Sequence, residues 1–116
     1  MSGTPYEQGE IVLIPFPFSS DTTQSKQRPA IIVSNSIYNA GTPQLILCGI
    51  TSNLSNKGFH VAITQKDMQS GNLVANSLIK YSNIYTLDKS LIIKKVGKVN
   101  SKIMKEVTDG LKTILQ

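Results

Sequence analysis

With 116 residues the chain has room for one hydrophobic core and no second domain. Twelve basic against seven acidic residues leave a formal charge of +5, compatible with a polyanionic partner and also ordinary for a soluble protein. The lone cysteine, Cys48, excludes an internal disulfide and a cysteine-built metal site; no apolar run approaches the roughly 20 residues that cross a bilayer, and the start lacks a signal-peptide pattern, so a cytoplasmic location is expected.

Residues 1–8 read as a loose tail and residues 9–116 as a single domain. The first strand is expected over residues 10–18, where Ile11, Val12, Leu13 and Ile14 form an apolar run too continuous for a strand with one wet face. Pro15 and Pro17 cannot donate to a ladder, which puts the second half of that stretch at a sheet edge or past its end. Residues 19–27 carry no apolar side chain and read as a solvated hairpin loop.

At the end of that loop stands Arg28, the only arginine among twelve cations. Its planar fork of donors suits bidentate binding of a phosphate, and Pro29 behind it disfavours the helical region and favours an extended junction. Ala30 to Val33 then read as a buried strand ending near Asn35. The plainer alternative for Arg28 is a surface arginine in a hairpin loop.

Residues 36–43 spell a turn, residues 44–51 a third strand containing Cys48 as a core thiol, and residues 52–58 another turn. Alternation over residues 59–64 predicts a half-exposed fourth strand, followed by a polar connection over residues 65–76. A fifth strand starts at Ser77 and continues, with a bend, through Ile84 and Leu87, and a short last strand lies within residues 92–99. From Ser101 the period changes: Ile103, Met104, Val107, Leu111, Ile114 and Leu115 fall at helical spacing, with Asn100 or Ser101 as the cap. Gly110 costs this helix about 1 kcal/mol relative to alanine. Five or six strands and one packing helix predict a mainly β, α+β fold built as a small, strongly bent antiparallel barrel.

If the second and third strands pair as antiparallel neighbours, Arg28 and Thr51 lie at the same end of the pair. Thr51 and Ser52 would then set two hydroxyls beside a guanidinium, a grouping typical of phosphate contacts, although a strand end running into a turn would contain the same residues. Asp21, Thr22, Thr23 and Lys26 add to the same rim. His60 is the only histidine and the natural suspect for acid–base work, but its place in a half-exposed strand reads as a surface position.

The runs Gly9 to Ser19, Lys26 to Ser34, Ile50-Thr51-Ser52, Ser77-Leu78-Ile79 and Ile84 to Lys89 together resemble the MazF/PemK family of toxin endoribonucleases. The resemblance implies an SH3-like barrel that forms a homodimer. It implies single-stranded RNA bound in the dimer groove and cleaved without a metal or other cofactor, and an antitoxin whose tail covers that groove. In such enzymes the 2′-hydroxyl attacks the adjacent phosphorus and leaves a cyclic phosphate and a free 5′-hydroxyl. The family's arginine before proline corresponds to Arg28 and its threonine after the third strand to Thr51. Arginine is a poor acid and a poorer base at neutral pH, so Asp21 is the expected proton acceptor, with an ordinary turn role as its alternative. Thr22, Lys26, Ser52 and Asn83 are the expected RNA contacts; Phe16 and Phe18 suit either base stacking or packing. The loop before Arg28 departs from better-known members in lacking glycine. A same-fold poison of DNA gyrase and a catalytically silent RNA-binding homologue are the competing readings.

Overall fold

The computed structural model describes residues 5–17, 26–55 and 57–116. β1 (Glu10–Phe16) and β2 (Lys26–Ile32) form an antiparallel pair in which Ile11 faces Ile31, Ile14 faces Arg28 and Phe16 faces Lys26. β3 (Gln44–Thr51) lies on the other side of β2, with Ala30 opposite Gly49 and Ile32 opposite Leu47. β4 (Val61–Ile63), β5 (Met68–Gly71), β6 (Ser77–Asp88) and β7 (Lys94–Val99) complete a curled antiparallel sheet in the order β4-β6-β3-β2-β1-β7-β5. The fold is therefore mainly β, with seven strands among the described residues where the periodicity indicated five or six.

Both faces of the sheet are covered, which accounts for the unbroken apolar run in β1. Ile11, Ile31, Cys48, Ile50 and Ile79 pack on one face with Ile103, Met104 and Val107 of the terminal helix, α2 (Ser101–Leu115). Val12, Ile14, Ala30, Ile32, Leu45, Leu47 and Leu87 form a second cluster on the other face, flanked by Tyr6, Tyr85 and Leu91. β7 pairs with β1 only from Glu10 to Leu13, so Pro15 sits where β1 is locally an edge and its missing N–H disrupts no ladder.

Three elements differ from expectation. Residues 36–43, read as a turn, contain a short helix α1 (Ser36–Gly41): Asn35, read as the end of a strand, accepts the Tyr38 N–H at 3.0 Å and caps it. Lys89 closes its other end, donating to the carbonyls of Asn39 and, at 2.8 Å, Thr42. Residues 65–76, read as a connection, contain β5, whose Met-Gln-Ser-Gly sequence carries no apolar alternation. β5 is held instead by close backbone approach to β7: a Cβ on Gly97 would fall 2.5 Å from the Ser70 carbonyl oxygen. The fourth strand is shorter than residues 59–64, because Phe59 and His60 precede the ladder that begins at Val61.

α2 begins where the period change put it, with the Asn100 side chain accepting the Ile103 N–H at 2.9 Å. Gly110 has a packing reason. The Tyr81 ring packs against the helix there, so that a Cβ at position 110 would stand 2.6 Å from the ring.

Candidate active site

The β2–β3 ladder ends at Ala30–Gly49, and Arg28 and Thr51 each lie two residues beyond that last pair, at the same end of the two strands. The guanidinium and the hydroxyl therefore belong to one rim. They form a ridge between two hollows, for Arg28, Pro29, Ile50 and Thr51 line both. The larger, of about 520 Å³, has Lys26, Gln27 and Ser52 on its polar side and Leu73, Val74 and Val96 on its apolar side. The smaller, of about 240 Å³, is walled by Phe16, Lys80, Asn83 and Tyr85.

Arg28 is exposed, and half-buried Pro29 holds its backbone from behind. Thr51 is half-buried, and its Oγ1 accepts the Asn53 N–H at 3.1 Å, which leaves the hydroxyl proton to be donated elsewhere. Asn53 Oδ1 in turn accepts from the Ser55 N–H at 3.2 Å and its hydroxyl at 2.6 Å, so the strand end is fixed by side-chain turns. Lys26 and Ser52 are exposed on the rim of the larger hollow.

Asn83 arrives by a distortion of β6. Lys80 pairs with Gly49 and Ile84 with Cys48, so residues 81–83 bulge out of the ladder. The bulge turns Tyr81 toward α2 and Asn83 into the smaller hollow. Gly49 forms the floor there, where a Cβ would stand 3.4 Å from the Tyr85 ring. Asp21 and Thr22 lie outside the described residues, as do Thr23 and Phe18.

Sequence reasoning missed Lys80 and Tyr85. A lysine inside the otherwise apolar run Leu78-Ile79-Lys80-Tyr81 was the available signal for the first; its Nζ donates to the Lys57 carbonyl at 3.2 Å on the hollow's edge. The position of Tyr85 depends on the bulge, which no local pattern announces.

Among the described residues no carboxylate lines either hollow, so the ridge is uniformly cationic. His60 lines neither hollow, and its buried Nδ1 has no hydrogen-bond partner among them. Cys48 lies in the core, where burial pushes its thiol up to about 12, far from a thiolate at neutral pH. Among the described residues no group of three or more His, Cys, Asp or Glu is placed to hold a metal ion. An arginine fork, an oriented hydroxyl and two flanking hollows suit binding of a phosphodiester across the ridge.

The sequence model of a family described as PemK-like, MazF-like toxin of type II toxin-antitoxin system matches residues 7–115. Endoribonuclease MazF of Staphylococcus saprophyticus is 27% identical over 90% of this chain and 86% of its own length. Endoribonuclease MazF2 of Mycobacterium bovis is 28% identical over 83% of this chain and 84% of its own. In fold the chain is similar to a mycobacterial endoribonuclease solved in complex with its cognate antitoxin (TM-score 0.74, 22% identity, 95% of this chain and 94% of that one). It is similar also to a MazE–MazF structure from Deinococcus radiodurans (TM-score 0.73, 20% identity, 97% of each chain).

Proposed function

The chain belongs to the PemK-like, MazF-like toxin family of type II toxin-antitoxin systems, and from that premise we propose that it is an endoribonuclease toxin, with residues 9–116 as its toxin domain. Its substrate is single-stranded RNA in the cytoplasm, and its partner is an antitoxin whose tail covers the substrate groove of a homodimer. The observation that carries this reading is that Arg28 and Thr51, at the same end of the β2–β3 pair, line both of two adjoining hollows able to take the nucleotides on either side of one phosphate.

In the proposed reaction the ribose 2′-oxygen attacks the adjacent phosphorus, the bond from phosphorus to the 5′-oxygen breaks, and the products are a 2′,3′-cyclic phosphate and a 5′-hydroxyl. Negative charge accumulates on the non-bridging oxygens as the fifth bond forms. The Arg28 fork and the Thr51 hydroxyl proton are the groups that meet this charge, each worth roughly 3 kcal/mol when preorganised. They supply this stabilisation without a metal ion. The 2′-hydroxyl proton leaves to a base, for which Asp21 is proposed, and the 5′-oxygen takes up a proton on departure. Lys26, Ser52 and Thr22 serve as further RNA contacts on one side of the ridge, and Asn83 on the other.

The test is cleavage of a 5′-labelled, unstructured RNA by the purified protein in excess EDTA, with chemical identification of both new ends. Cyclic phosphate and 5′-hydroxyl ends are expected. Intact RNA, or 5′-phosphate ends, would overturn the reading.

A further inference from the structure

The smaller hollow combines the aromatic and apolar walls that a base requires with polar groups on one side. Phe16 and Tyr85 line it with their ring centroids 6.3 Å apart and their planes tilted by 53°; Ile14 and Ile50 add apolar surface and Gly49 a bare floor. Its volume of about 240 Å³ is below that of a drug-sized site, which matches one nucleobase beside the ridge. Two donor-bearing side chains of β6 line it, the Lys80 ammonium from the ladder and the Asn83 amide from the bulge. An ammonium donates and never accepts. A base edge that offers a carbonyl oxygen there can accept from both side chains, whereas an exocyclic amino group is opposed by the Lys80 ammonium and has, among the described side chains of the β6 wall, only the Asn83 amide oxygen to receive it.

We infer that the Lys80–Asn83–Tyr85 hollow selects, next to the cut, a nucleobase with a carbonyl in the O6/O4 position, guanine or uracil, against adenine or cytosine. This rests on the nuclease reading for its place beside the scissile phosphate, but its own test is binding. Fluorescence anisotropy is measured with 2′-O-methyl heptamers, which lack the attacking hydroxyl: U7 against C7, and AGAGAGA against A7. The wild type should bind U7 or AGAGAGA at least about tenfold more tightly than its amino counterpart, the range of one good base contact. Which of the two pairs separates more tells uracil from guanine. Lys80→Ala should bring the preferred pair within about twofold of equality, and Lys80→Arg, which keeps a cationic donor, should restore much of the difference.

Equal affinities in the wild type would overturn the inference. So would a Lys80→Ala variant that weakens every oligomer by the same factor, which is the signature of a phosphate contact. Preference without cleavage of ordinary RNA would leave the base hollow standing and remove the nuclease. Cleavage without preference would do the reverse.

Discussion

At the ridge, two side chains of different chemistry line the same two hollows from the ends of neighbouring strands, and each makes a separate expectation. Arg28 is exposed, so Arg28→Ala should leave the melting temperature unchanged while lowering kcat/KM on RNA roughly 10²- to 10³-fold. Arg28→Lys keeps the charge but loses the planar fork and should recover only part of the rate. Thr51→Val should cost a similar factor, with Thr51→Ser restoring most of it, because serine keeps both the donated proton and the acceptor for the Asn53 N–H. Full activity in Thr51→Val would remove that hydroxyl from the mechanism. Cys48 gives a pH expectation of opposite character. Its thiol is raised from the ordinary 9.0 to about 12 by burial, so between those values the unfolded chain loses a proton that the folded one keeps. Folded stability should therefore fall as pH rises above about 9, and urea titrations at pH 8 and 10.5 should show that slope diminished in Cys48→Ala. Arg28 and Thr51 were legible because each is marked by its neighbours, a proline after one and a turn after the other. Tyr85 was not, since its arrival at the site depends on three bulged residues in β6, whereas Lys80 was marked only by standing in an otherwise apolar run.

Among the elements, α2 was the most legible, because a helical period with a capping asparagine needs no tertiary information. α1 and β5 were hidden for the opposite reason. α1 is six residues long and depends on Asn35 and on Lys89, which comes from far along the chain, while β5 is a polar edge strand held by backbone approach at Gly71 and Gly97. The penalty assigned to Gly110 from propensity alone changes sign in context. In an open helix Gly110→Ala would gain about 1 kcal/mol. Here the new Cβ would stand 2.6 Å from the Tyr81 ring, and overpacking of that kind costs about 1–3 kcal/mol. Gly110→Ala should therefore lower the melting temperature by several degrees in the native background. In a Tyr81→Ala background the same substitution should be stabilising. The two effects must fail to add, and thermal unfolding of the four proteins of this cycle measures the coupling. Additive shifts would mean that the ring moves aside without cost, and that the helix does not constrain the bulge.

Across the molecule, the distribution of charge says more than its sum. Glu7 and Glu10 are paired with Lys98 and Lys95, and Asp109 with Lys105, so three acids are balanced by lysines that line neither hollow and the surplus of basic charge is carried by other residues. Lys98 holds the Glu7 carboxyl below its usual range, and the Ser90 N–H and hydroxyl do the same for Asp88, so both acids remain charged well into mild acid. The hollows keep their cations without a neighbouring carboxylate among the described residues, and a polyanion should be drawn to that end of the sheet. Each phosphate neutralised on a single strand contributes about −0.7 to the slope of log affinity against log salt. With Arg28 and Lys26 each meeting one phosphate, the two should together give a slope of about −1.4 per bound strand, falling to about −0.7 in Lys26→Ala. Lys102 is an exposed cation of the same formal charge on α2, no residue of which lines either hollow, and Lys102→Ala should leave the slope where it was. Salt titration of a 2′-O-methyl oligomer against the three proteins separates a localised cationic track from a diffuse surplus. Equal losses of slope in Lys26→Ala and Lys102→Ala would mean that RNA senses only the net charge, and the larger hollow would then have no claim to the strand.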